Sequence, residues 1–158
     1  MIHLDYIPGD LVMTNGVPLG TAQNVVYRVT SSDPSKTLEL DDGTVLKGVV
    51  CLENIEGAEF GEKGYLLGDC CAWVKDIVPI PLTSEILEKN GWRTQNRWYY
   101  YLDVAEGFIS YIGIDFKHKS NKGHLYVEVD GNNMVEIQYC HELQHFLFGL
   151  GINHEMEV

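Results

Sequence analysis

Pro79 and Pro81 flank Ile80 near the middle of a 158-residue chain. Neither can donate a backbone N–H, so the pair cannot sit inside a central strand. Any sheet built before them is therefore separated from any sheet built after. The chain is expected to organise as residues 1–80 and 81–158, as two small units or as one continuous fold through a short extended joint. Hydrophobic residues make up 45% of the sequence and charged residues 22%, the composition of a protein with a real core.

Residues 1–80 read as short strands punctuated by turns. "GDLVM", "VVYRVT" and "KTLELDDGTVLKGVV" are rich in β-branched residues, and Asp42-Gly43 between Leu38–Leu40 and Val45–Leu46 is a hairpin signal. "ENIEGAEFGEKG" is an acidic, glycine-rich loop, and "YLLGDCCAWVKDIVPI" supplies closing strands. The glycines of "GVPLG" and "GEKGYLLG" read as turns rather than phosphate loops. Strands this short and evenly spaced predict a small curled antiparallel sheet or SH3-like β-barrel, with the barrel the expected form.

After the prolines, Thr83 is a good N-cap for a two-turn helix carrying Ile86 and Leu87, with Asn90-Gly91 as its stop and Trp92 packed after it. "RWYYYLDV", "GFISYIGIDF" and "HLYVEVDG" predict three antiparallel strands, and a final helix is expected over residues 133–149. The fold class is α+β: the barrel, then an antiparallel sheet packed by a C-terminal helix.

Charge and cysteine usage narrow the function. The net charge is −12, from 23 acidic and 11 basic residues; such a field opposes nonspecific binding to nucleic acid and to anionic lipid. Lys117, Lys119 and Lys122 with His118 and His124 form a local basic cluster, read as a solvated loop. No apolar run approaches the ~20 residues of a membrane span, and "MIHLDYIPGD" lacks the basic start and apolar stretch of a signal peptide. A cytoplasmic location is expected. Cys51, Cys70, Cys71 and Cys140 fit it as free thiols, small and buried.

Two stretches suggest chemistry. "CHELQHFLFGLGINHE" holds an H-E-x-x-H match, in which His141 and His145, one helical turn apart, can face one zinc ion with Glu142 as general base. On a helical wheel Cys140, Leu143, Leu147 and Leu150 form the apolar stripe, with the two histidines nearly opposite. A third ligand is missing from the usual places: Gly151 stands where a metzincin has its histidine, and only thirteen residues follow His145, too few for a thermolysin-like downstream acid. His154 and Glu155 are the substitutes at hand.

The second stretch is "GWRTQNRWYYYL", where Arg93 and Arg97 are interleaved with Trp92, Trp98, Tyr99, Tyr100 and Tyr101. On a strand Trp98 and Tyr100 would share one face and Tyr99 and Tyr101 the other. One set is expected to pack inward, leaving the other as a recognition platform that stacks a base or grips a protein.

"DIVPIPLTSEILEKNGW", the aromatic strands and "VEIQYCHELQHFLFGL" together resemble uncharacterised proteins of gut Bacteroidales and their phages and prophages. In that group the final helix reads Tyr, apolar, His, Gln, Leu, Gln, Asn. Tyr139, His141, Leu143 and Gln144 keep the pattern, while Glu142 and His145 stand where Gln and Asn are usual. The resemblance covers residues 77–150, and members with Gln and Asn at those positions lack the zinc chemistry.

The expected function is therefore a non-enzymatic phage or mobile-element accessory protein that binds, as counter-defence, a small nucleotide signal or a host protein. Arg93, Arg97, Trp98, Tyr99, Tyr100 and Tyr101 are its contact residues, and no cofactor is expected. A homo-oligomer through the β surfaces is compatible with this. The alternative is a zinc-dependent hydrolase using His141, Glu142, His145 and His154.

Overall fold

The computed structural model describes residues 5–16, 23–55, 57–59, 61, 62, 64–66, 68 and 70–158. Apart from Gly16, the "GVPLG" turn lies outside them. Two compact units are present, Met1–Ile80 and Pro81–Val158, each built on its own antiparallel sheet of five strands. No helix among the described residues is long and apolar enough to cross a membrane.

In the first unit β1 (Leu11–Thr14), β2 (Tyr27–Glu39), β3 (Val45–Asn54), β4 (Cys70–Trp73) and β5 (Ile77–Pro79) lie in the order β4-β3-β2-β1-β5. The β2–β3 hairpin turns at Asp42-Gly43. The Asp42 carboxylate accepts from the Thr44 N–H at 2.9 Å, and Gly43 takes φ +87°, where a β-carbon would be strained. Pro34 falls in β2 at a break in register between Asp33 and Thr37, which spares the ladder its missing donor. Pro79 ends β5, an edge strand.

Val12, Tyr27, Val29, Val50, Leu52 and Ile77 form the centre of the first core. The Asn54 side chain donates to the Leu66 carbonyl at 2.8 Å and accepts from the Leu66 N–H at 3.0 Å, so one carboxamide serves both groups of a loop residue as a neighbouring strand would. Between β4 and β5 the chain makes a single 3-10 turn, Val74–Asp76. The antiparallel sheet expected of this unit is present, and no ladder joins β4 to β5 among the described residues, so the sheet is not closed into a barrel.

The cysteines correct one expectation. Cys51 and Cys71 stand directly opposite each other on β3 and β4 and form a disulfide; Cys70 and Cys140 are free. Alternation separates the vicinal pair: Cys71 points to the exposed side, while Cys70 packs against the core. The pairing depends on a strand register set 20 residues away in sequence. It also removes the free-thiol argument for a reducing compartment.

The second unit begins with α1 (Ser84–Lys89). The Thr83 hydroxyl caps it by accepting from the Ile86 N–H at 3.3 Å. At the other end the Trp92 N–H reaches the Leu87 carbonyl at 3.0 Å and the Gly91 N–H the Glu88 carbonyl at 3.1 Å. With Gly91 at φ +83° this is a Schellman motif, and the buried Leu87 and Trp92 supply its apolar contact.

Strands β6 (Arg93–Thr94), β7 (Tyr99–Glu106), β8 (Ile109–Asp115), β9 (Leu125–Val129) and β10 (Asn132–Ile137) follow as a meander in the order β10-β9-β8-β7-β6. Here the expected helix over 133–149 is corrected: its first five residues are strand. Asp130 and Gly131, at φ 49° and 87°, make a two-residue hairpin turn that pairs Asn132 with Val129. Only α2 (Cys140–Gly149) is helical.

Residues after α2 are tied back within the unit. The Gln144 amide donates to the His154 carbonyl at 3.0 Å. The Asn90 carboxamide donates to the Glu157 carbonyl at 2.7 Å and accepts from the Glu157 N–H at 2.8 Å.

Thiol titration of the unfolded, non-reduced chain is expected to find only Cys70 and Cys140. Replacing Cys51 and Cys71 together by Ser should lower unfolding free energy by about 3 kcal/mol, the loop-closure value for a bridge of this span, measured by urea denaturation. Four reactive thiols and an unchanged midpoint would be the contrary result.

Candidate functional site: the outer face of the second sheet

Alternation along β7 divides its aromatic run. Tyr100 points inward, 2% exposed; its hydroxyl donates to Glu88 Oε1 on α1 at 2.8 Å, and its ring meets Phe116 edge-on at 5.6 Å. It belongs to the core and not to the contact surface expected from the sequence. Tyr99, Tyr101 and Asp103 therefore face outward.

Cross-strand register assembles the outer face. Arg93 pairs with Tyr101, Tyr101 with Gly113, and Gly113 with Glu128, a single row across β6, β7, β8 and β9. Asp103 pairs with Tyr111 in the next row. Gly113 is the floor of this surface. Its φ is unexceptional, and what it supplies is space, since a β-carbon built there would overlap the Tyr99 phenol. Tyr99 lies across bare backbone.

The resulting recess measures about 330 Å³ and is lined by Gln95, Asn96, Tyr99, Tyr101, Asp103 and Tyr111. Burial, with the Glu128 carboxylate as hydrogen-bond partner, pushes the Tyr99 phenol well above its ordinary ionisation range. It stays a neutral donor at any physiological pH. The Arg93 guanidinium is ion-paired with Asp103 and lies over the Tyr101 ring at 5.2 Å.

The turn from β6 to β7 is held by its own side chains. The Thr94 hydroxyl accepts from the Arg97 N–H at 2.9 Å, and Asn96 Oδ1 accepts from the Trp98 and Tyr99 N–H groups at 3.1 and 2.9 Å. Arg97, at φ 68°, is exposed on this turn. Trp98 precedes the strand and stands edge-on to Tyr99 at 6.2 Å and to His118 at 5.6 Å, with Lys117 Nζ 5.3 Å from its ring centre.

Of the six residues expected at a binding site, Arg93, Tyr99 and Tyr101 thus meet at the recess, Arg97 and Trp98 flank it, and Tyr100 is inside. Sequence reasoning missed Asp103, Tyr111, Gly113 and Glu128. The alternation of "FISYIGIDF" places Tyr111 and Gly113 on one face, but only the strand register says which neighbours share it.

The H-E-x-x-H residues have other surroundings. Glu142 Oε1 accepts from the Gln138 and Tyr139 N–H groups, both at 3.0 Å, as the acidic half of a capping box at the start of α2. His141 is 1% exposed, stacked on Tyr139 at 5.9 Å and edge-on to His145 at 5.5 Å. It shares the buried side of α2 with Cys140, Leu143, Gln144 and Leu147, whereas Leu150, just past the helix end, is 37% exposed. His154 packs edge-on to Phe148 at 5.0 Å. Among the described residues no three His, Cys, Asp or Glu side chains are grouped to hold a metal ion. Burial pushes the Cys140 thiol up to about 12, which leaves it a poor nucleophile.

No family model, curated protein or solved structure matches the chain.

Gly113→Ala is expected to destabilise the protein by about 1–3 kcal/mol through overpacking, and by far less in a Tyr99→Ala background. A double-mutant cycle in urea measures the coupling; equal costs in both backgrounds would contradict the contact. Glu142→Ala should cost about 1 kcal/mol by loss of the cap. Unchanged stability on thermal denaturation would mean that Glu142 is not serving the helix.

Proposed function

We propose that the protein acts by binding rather than catalysis, and that the outer face of the second sheet grips a partner protein and blocks it. The observation that supports this most is the half-buried tyrosine recess, in which Tyr99, Tyr101 and Tyr111 stand with Arg93 at the edge. Tyrosine is prominent among the residues that carry binding energy at protein interfaces, because a ring offers large, rigid contact area for little lost conformational freedom. The residues expected to read a nucleotide serve it less well. A phosphate needs a cation within the recess, yet Arg93 is paired with Asp103, Glu128 stands in the same row, and the exposed Arg97 lies on the flanking turn outside the lining.

In this reading the protein is an accessory, counter-defence factor; the sequence resemblance suggests only its phage or mobile-element type and implies no known activity. The first unit is then a small SH3-like module, for which the strand order β4-β3-β2-β1-β5 and the 3-10 turn before β5 are the support. Zinc hydrolysis gains no comparable support, since the Glu142 carboxylate oxygen Oε1 already accepts from two backbone N–H groups.

The test is affinity capture from a Bacteroidales lysate with wild-type protein and with a Tyr101→Ser/Tyr111→Ser variant of matched folding by circular dichroism. A protein retained by the wild type and lost from the variant is the expected result. Retention of the same species by both would place the binding surface elsewhere.

A further inference from the structure

The chemistry of the recess points past a general partner to a particular group. Three of the six residues that line it are tyrosines, and the faces of such rings carry negative electrostatic potential and attract cations. Asp103 lies among them, and the Glu128 carboxylate backs the Tyr99 phenol. The whole molecule carries −12, which adds a long-range field of the same sign. Every one of these features disfavours an anion and favours a positive charge.

One edge of the recess already holds a cation. Arg93 places its guanidinium over the Tyr101 ring at 5.2 Å and pairs with Asp103, the combination of ring face and carboxylate that binds a guanidinium from any source. The hold is light. The Arg93 side chain is 64% exposed and that of Asp103 52%, and exposed ion pairs of this kind are weak. Arg93 also stands on β6, a two-residue strand at the edge of the sheet, where a side chain can swing away without disturbing the ladder.

We infer that the tyrosine recess takes a cationic group, an alkylguanidinium or alkylammonium such as an arginine or lysine side chain of the partner carries, and that Arg93 is its internal competitor. The incoming cation replaces Arg93 over Tyr101 and beside Asp103. Arg93 then turns to solvent. The inference rests on the reading of this face as the binding surface, and it names the chemistry that surface selects.

The experiment uses the full chain with labelled tyrosines, titrated by NMR with butylguanidinium, with acetyl-Gly-Arg-Gly-amide and, separately, with adenosine monophosphate. Butylguanidinium is expected to shift the Tyr99, Tyr101 and Tyr111 ring signals saturably. Arg93→Ala and Arg93→Gln, the second keeping the side-chain stem, should both tighten binding by about two- to fivefold, the release of one exposed ion pair. Asp103→Asn should weaken it. Tighter binding of the peptide than of butylguanidinium marks a chain-borne side chain as the source, and equal binding marks a free small cation.

Tyrosine signals unmoved by butylguanidinium in wild type and in Arg93→Ala would overturn the inference, as would weaker binding in either Arg93 variant. Shifts produced by adenosine monophosphate alone, and lost in Arg93→Ala, would also overturn it while keeping this face as the binding surface. Capture of the same protein by the Tyr101/Tyr111 variant would instead overturn the surface itself.

Discussion

The inward hydrogen bond of Tyr100 to Glu88 is the contact on which the second unit's surface depends. A β-strand has a period of two, so fixing one residue of β7 fixes the side on which every other residue emerges. With Tyr100 anchored beneath α1, Tyr99, Tyr101 and Asp103 must face outward. The ladder then brings Arg93, Tyr111 and Gly113 beside them. A slip of one residue would bury the charged and phenolic row and expose Leu102 with Tyr100, so the core and the recess are two consequences of one register.

Much of the local structure could be read from short patterns, because their causes are local. The Asp42-Gly43 turn, the Thr83 cap and the Asn90-Gly91 stop each act within a few residues, and each formed as expected. Asn132–Ile137 escapes such a reading although its cause is equally local. "NNMVEI" has no strong alternation and reads smoothly into the following helix, while the Asp130-Gly131 turn that makes it a strand is the same dipeptide signal as at position 42. The Cys51–Cys71 bridge and the Gly113 floor were illegible because both depend on which residues stand opposite across a ladder.

The residues of the H-E-x-x-H match also serve ordinary helix chemistry. A Glu at the third position of a helix accepts from the N–H groups that precede it, and Glu142 does so. His141 fills the side of α2 between Tyr139 and His145. Each residue has a use that requires no metal, and the spacing of one turn is what any two stacked helical neighbours share.

Side-chain amides standing in for backbone recur in both units. Asn54 grips Leu66 and Asn90 grips Glu157, each through one donor and one acceptor. Gly113 works by the opposite means, withdrawing a side chain so that a neighbour can lie down on the main chain. That arrangement ties residues 99 and 113 together in space. In any sequence that keeps this fold, a side chain at position 113 is expected to go with a smaller residue at position 99, and a retained tyrosine with a retained glycine. The pair would then serve as a two-letter signature of the recess.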